Sequence, residues 1–251
     1  MNYSREIAII DSTLMKYFGL LDYTSLRDFK VLLGKHGVML CGGALLSIFT
    51  DARINDLDFY VRDPLQVSKV NDILQDYATE EMFVTKNATT FKRSEGRRKY
   101  TFQLIKSFSG EAEDIFRNFD FTITNVAFDF ERNSFVFGER FFQDVAARRL
   151  VYAGDSKYPI CAMYRTKKYM ARGFECSGAT IMHIALCIVQ LKIESYADLK
   201  KQLLGIDTIY LQGLLESFEP NAPVDYGEFI DLAFKRINER GMSIAEEGDE
   251  D

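Results

Sequence analysis

Apolar positions in the first 140 residues change period repeatedly. Ser25 to His36 places Leu26, Phe29, Leu32 and Leu33 on one side of a 3.6-residue repeat, which predicts a helix. Val38 to Cys41 is a short apolar run that stops at Gly42-Gly43 and reads as a strand entering a tight turn. Ala44 to Thr50 predicts a short helix, Leu57 to Val61 a strand stopped by Asp63-Pro64, and Leu65 to Tyr77 a second long helix. Phe83-Val84, Ala88 to Phe91 and Tyr100 to Ile105 read as strands, with the basic stretch Lys92 to Lys99 as the turn between the last two. Glu111 to Phe116 predicts a helix. Phe119 to Asp129 reads as a strand that pairs with Ser134 to Phe137 across Glu131-Arg132-Asn133. From about residue 141 the period is helical, with segments 141–147, 158–172, 178–193, 196–204, 207–217 and 226–240 punctuated by Gly173, Gly205 and the Pro220 to Pro223 stretch. The expectation is an α+β fold: a small mixed sheet with helices, then an all-α part, with a boundary near 140–155.

Composition narrows the class. The 251 residues are 47% hydrophobic and 27% charged, which is ordinary globular usage and excludes wholesale disorder. Ile181 to Leu191 is the longest nearly apolar run, too short to span a bilayer, so no membrane segment is expected. The first ten residues carry Arg5 and Glu6 and lack the apolar stretch of a signal peptide. Cys41, Cys161, Cys176 and Cys187 match no zinc or redox spacing and read as reduced thiols of a cytoplasmic protein. With two histidines, a His-rich metal site is not expected. Net charge is −6, and five acids lie in the last six residues, so the body is about −1 and 241–251 reads as a solvated acidic tail. Basic residues cluster at Lys86 to Lys106 and at Arg148 to Arg172. The first cluster is interleaved with Phe91, Tyr100 and Phe102, the pattern of a flap that holds a single strand; a surface hairpin with its rings in the core is the reading favoured for Phe102. Met163, Met170 and Met182 read as packing residues.

Three carboxylates stand out. Asp56-Leu57-Asp58-Phe59 opens a strand, so Asp56 and Asp58 share a face while Leu57 and Phe59 face the core. Two such carboxylates repel unless a cation lies between them, and hard oxygen ligands suit magnesium shared with phosphates. Gly42-Gly43 lets backbone N–H groups approach a phosphate. Asp120, between Phe119 and Phe121, would complete a three-carboxylate site if its strand lay beside Leu57 to Val61.

Cys41-Gly42-Gly43, twelve residues, then Asp56-Leu57-Asp58-Phe59 resembles the signature of the DNA polymerase β-type nucleotidyltransferase superfamily. Asp114 to Ala127 resembles the RRDFTINAMA motif of tRNA CCA-adding enzymes and bacterial poly(A) polymerases. Asp144 to Asp155 and Tyr164 to Phe174 are similar to the motifs that follow it, in the joint between head and neck and in the neck helix. The resemblance implies a catalytic domain over 1–145, a helical neck or acceptor-binding domain over 146–240 and the tail over 241–251. It implies two Mg2+ ions, with Mn2+ as an alternative, held by Asp56, Asp58 and Asp120, the last nearer the nucleophile. It implies an NTP held by Gly42, Gly43 and Ser47, with Asn125 at the ribose or base and Arg165 and Lys168 on one face of the neck helix at the phosphates or base. The sequence departs from the family in three places. One residue is inserted after Ile123, Asn118-Phe119 replaces the basic residue before Asp120, and Tyr158 to Ala162 stands where the base-reading EDxxR element belongs. The expected function is NMP transfer from an NTP to an RNA 3′ end, tRNA-like, with release of pyrophosphate. The alternatives are NMP transfer to a protein or small-molecule acceptor and, ranked last, a nucleotide-binding partner without turnover. The sequence does not give the oligomeric state.

Overall fold

The protein is described by a computed structural model over residues 3–154, 156–203 and 214–240. It has a mixed helix-and-sheet fold, and divides into two compact units, Met1–Ala147 and Arg148–Asp251.

The first unit opens with a helix that the sequence reading did not predict, α1 (Ser4–Phe18). Its buried residues Ile10, Leu14, Tyr17 and Phe18 follow the helical repeat, and Gly19 ends it in a left-handed conformation, its N–H donating to Met15 O. Asp22 caps α2 (Tyr23–Lys35), accepting from Ser25 N at 2.8 Å. Then follow β1 (Val38–Cys41), α3 (Gly43–Phe49), β2 (Asp56–Val61), a 3-10 turn (Pro64–Gln66), α4 (Val67–Gln75), β3 (Phe83–Val84), β4 (Ala88–Glu95), β5 (Arg98–Ser109) and α5 (Ala112–Phe116). A second 3-10 turn (Thr122–Thr124), β6 (Val126–Asp129), β7 (Ser134–Phe137) and α6 (Phe141–Ala146) complete the unit.

Seven strands form one sheet in the order β3-β4-β5-β2-β1-β6-β7. β2 and β5 run parallel and the other neighbours antiparallel. One face carries Leu57, Phe59 and Phe102 into a core with α1 and α2, where the Phe18 ring lies 4.6, 5.9 and 4.7 Å from those of Phe29, Phe59 and Phe102. The other face buries Met39, Cys41, Tyr60 and Ala127 against Ala112, Ile115 and Phe116 of α5. On that face Asp56 and Asp58 are only half-buried.

Two strand expectations need correction. Lys92 to Lys99 is not a turn: β4 and β5 pair continuously from Ala88↔Ile105 to Glu95↔Arg98, and only Gly96-Arg97 turns. The basic side chains are tolerated because alternate positions carry the core, with Phe91 and Phe102 fully buried and stacked 5.3 Å apart. Phe119 to Asp129 is not one strand either. Hydroxyls compete with the ladder there: Thr124 Oγ1 donates to Phe121 O at 2.8 Å and Thr122 Oγ1 to Asp144 Oδ2 at 2.7 Å, and the chain coils before β6 begins. Asp144 is fully buried and also accepts from Arg140 Nε at 3.1 Å and its terminal nitrogen at 3.0 Å, which ties α6 to that turn. At the sheet's far end, Arg62 reaches Glu111 at 2.7 Å, the fully buried Asp129 at 2.8 Å and Glu131 at 2.5 Å.

The second unit holds α7 (Pro159–Ala171), α8 (Gly178–Val189), α9 (Tyr196–Gln202) and α10 (Tyr226–Arg240). Among its described residues the one strand pair is short and parallel, β8 (Arg149–Leu150) with β9 (Glu175–Cys176). Cys161, Tyr196, Leu199, Leu203 and Leu215 pack together, and Tyr196 stacks on Phe218 at 4.2 Å. Met170 and Met182 are exposed, against the packing reading, because they lie on outward faces of α7 and α8. Most of the expected helix 207–217, and all of the tail 241–251, lie outside the described residues.

Candidate functional site

The site is built by the end of β1 and the start of β2. β1 runs out at Cys41, and Gly42 N donates to Val126 O at 3.0 Å, the last bond of the ladder to β6. Gly42 then turns with φ 81° and ψ −131° to start α3, a conformation that disfavours a side chain. A Cβ at Gly42 would lie 3.6 Å from the Phe119 ring, whereas at Gly43 nothing lies within 4 Å, so the backbone there faces open space.

Beside this turn, β2 begins. The register Leu40↔Phe59 and Met39↔Tyr60 puts Asp58 next to Cys41. Burial, with the Asp58 and Asp129 charges adding to it, pushes the Cys41 thiol well above its ordinary range. Asp56 lies two positions earlier on the same face, about 7 Å along the strand. Its charge is also felt by Tyr17, whose phenol is raised to about 12, chiefly by burial and then by Asp56 and Tyr100, with Arg53 opposing. Tyr17 donates to Ile54 O at 3.1 Å, and its ring centroid lies 5.0 Å from that of Tyr100. On the other flank β5 places Thr101 opposite Asp56 and Gln103 opposite Asp58.

The remaining expected residues fall as follows. Ser47 is buried in α3 and its hydroxyl donates to Gly43 O at 3.0 Å, back along its own helix. Gly42 likewise has its N–H committed to Val126, so at the glycine pair the open approach is at Gly43. Asp120 is buried in the bend before the 3-10 turn, next to Phe119, whose ring is 5.9 Å from that of Tyr60. The strand that follows, β6, pairs with β1 and not with β2, so Asp120 does not enter by the strand pairing expected. Among the described residues no three His, Cys, Asp or Glu side chains are gathered as a metal-holding group. The pair Asp56 and Asp58 still fits magnesium, which is commonly held by one or two carboxylates together with phosphate oxygens and water. Asn125 ends the 3-10 turn, and its Oδ1 is buried with no hydrogen-bond partner among the described residues. Arg165 (half-buried) and Lys168 (exposed) lie on α7 in the second unit. Tyr17, Thr101, Gln103 and Arg53 were not singled out from sequence: α1 was not predicted, and the β2–β5 register has no local signal.

Solved structures share this fold. The chain superposes on a Thermotoga maritima CCA-adding enzyme complexed with tRNA, with a TM-score of 0.51, 14% identity, and coverage of 91% of this chain and 53% of that one. It also superposes on a CCA-adding enzyme in complex with ATP, with a TM-score of 0.52, 13% identity, and coverage of 95% and 53%. At these identities the likeness is one of fold. The chain belongs to the Gabija anti-defense 2 family, whose model matches residues 10–148. A protein of Bacillus phage SPbetaL7, named Gabija anti-defense 2, is 31% identical over 188 residues, 73% of this chain. The chain spans 45% of the length of that relative. Among the described residues no helix is long and apolar enough to cross a membrane.

Proposed function

We propose that the chain is a metal-dependent nucleotidyltransferase that moves NMP from an NTP to an RNA 3′ end, tRNA-like in kind, and releases pyrophosphate. The observation that carries this reading is the half-buried pair Asp56 and Asp58 beside the open turn at Gly43. Asp56 and Asp58 would hold Mg2+ (or Mn2+), which when bound activates the attacking hydroxyl and stabilises the departing pyrophosphate. The Gly43 backbone offers the triphosphate an approach unblocked by any side chain. Asp120 is the third carboxylate of the proposal; its part rests on the motif resemblance, as do those of Ser47, Asn125, Arg165 and Lys168. The Asn125 Oδ1 without a partner supports a ligand-facing role for that amide.

A second reading keeps the chemistry and changes the acceptor to a protein. The family's name favours it, since anti-defense points to a component of a host defence as the target. In either case the cytoplasm is the proposed place of action, and residues 1–145 and 146–240 are the proposed catalytic and acceptor-binding parts.

The test is incubation of the purified chain with Mg2+ and each labelled NTP, with total RNA and total protein as acceptors, beside an Asp56→Ala/Asp58→Ala control. Label in RNA that vanishes in the control is expected. Label in protein alone would move the function to the second reading, and no label with any NTP would contradict both.

A further inference from the structure

We propose that the outer face of β3, β4 and β5 is a track for a single-stranded polynucleotide that leads to Asp56 and Asp58. The strand register carries the argument. Asp56 pairs with Thr101, which pairs with Lys92, so these three stand in one row across the sheet on one face. The next row toward the hairpin end is Lys99 and Ser94, and Gly96-Arg97 forms the turn at the end; Arg98, paired with Glu95, lies on the opposite face. In the other direction Asp58, Gln103, Thr90 and Phe83 make a second row, so Phe83 stands on the same face as the carboxylates. Phe83 is 68% exposed.

The hairpin divides its cations by face. Arg93, on the opposite side, donates to Lys16 O at 3.2 Å and pairs with Glu95 at 3.2 Å. Lys92 and Lys99 on the carboxylates' face, and Arg97 in the turn, are exposed and make no ion pair among the described residues. Lys92 and Lys99 are diagonal neighbours, about 7–8 Å apart at the backbone, close enough to repel mildly when nothing lies between them. Of the nearby acids, Glu95 is held by Arg93, while Glu80 accepts from Ser94 Oγ at the sheet edge and keeps its charge. Away from the carboxylate pair, the face offers the unpaired ammonium groups of Lys92 and Lys99, hydrogen-bonding Thr90, Thr101 and Gln103, and one flat ring. Phosphates answer the first, base edges and sugars the second, and a base the third, which together define a single strand rather than an acidic protein. The rows end at the carboxylate pair, so a strand lying along them has a terminus to offer there. Only this last point rests on the proposed function.

The test is fluorescence anisotropy with a short labelled single-stranded RNA, in EDTA and without NTP, so that binding is read apart from catalysis. Lys92→Glu/Lys99→Glu is expected to weaken binding at least about tenfold and to lower the slope of log affinity against log salt by about 1.4, the value for two phosphate contacts. Phe83→Ala is expected to weaken it about tenfold. Lys35→Glu/Lys69→Glu makes the same change of net charge from exposed positions on α2 and α4 and should bind as the unaltered chain does. Asp56→Asn/Asp58→Asn should bind at least as tightly while losing transfer. Equal losses in the two Lys pairs, no binding by the unaltered chain, or equal competition by polyglutamate would each overturn the track. RNA binding that follows these variants, with no NMP transfer under any condition, would uphold the track and remove the proposed activity.

Discussion

Asp56 and Asp58 repel each other across one strand face, and the surrounding residues register that charge. The Tyr17 phenol is the most useful reporter, because Asp56 is the second cause of its rise after burial. An ultraviolet pH titration should show one tyrosine ionising near pH 12, and Asp56→Asn should bring it down while leaving it above the ordinary value of 10. An unchanged value in the variant would place Asp56 elsewhere. Because the folded value is the raised one, the associated stability is complete below pH 10 and is lost as pH rises from 10 through 12. Metal should act in the opposite sense to the repulsion. Magnesium at about one hundred times its dissociation constant should add about 2.7 kcal/mol, read as a higher melting temperature, and Asp56→Asn/Asp58→Asn should abolish that gain. An equal gain in the variant would locate the metal away from this pair. Asp129 is a purely structural counterpart: fully buried, it accepts from the Glu131 and Arg132 amides as well as from Arg62. Asp129→Ala leaves Arg62 with Glu111 and Glu131 but removes the acceptor of the two amides, and should cost about 1–3 kcal/mol in a denaturant melt; no measurable loss would refute that role.

At the scale of elements, the parts legible in the sequence were those whose signal is local. β1, the Gly42-Gly43 turn and β2 could be read because an apolar run, a turn and a period-two alternation each announce themselves within a few residues. The β4–β5 hairpin is masked by its charge, which hides the alternation: Lys92, Ser94 and Lys99 occupy outward positions between buried Phe91 and Phe102. The approach to β6 was over-read, since Thr122 and Thr124 look β-prone but spend their hydroxyls on Asp144 and Phe121 O. The long hairpin depends on its stacked pair. Phe102→Ala removes a ring that touches both Phe91 and Phe18 and should lower stability by about 3–5 kcal/mol in denaturant unfolding. A cost below 1 kcal/mol would mean that the hairpin is not held by that core.

In the molecule as a whole, the chain divides into two compact units between Ala147 and Arg148. The candidate site lay partly within reach of the sequence, because Asp56, Asp58, Gly42 and Gly43 are brought together by neighbouring strands only fourteen residues apart from Gly42 to Asp56. Gln103 and Thr101 join them through a parallel pairing that crosses α4 and two strands, which no local pattern encodes. Asp120 was assigned from a motif whose following strand pairs elsewhere.

Pyrophosphate release reads nucleotidyl transfer itself. The purified chain is mixed with Mg2+, total RNA and each NTP in turn, beside Asp56→Asn and Asp58→Asn. Release is expected with at least one NTP, dependent on RNA and on metal, and reduced by about a hundredfold or more in each variant. Release that persists undiminished in both variants, or that is absent with every NTP and with either RNA or protein as acceptor, would contradict the proposed transfer.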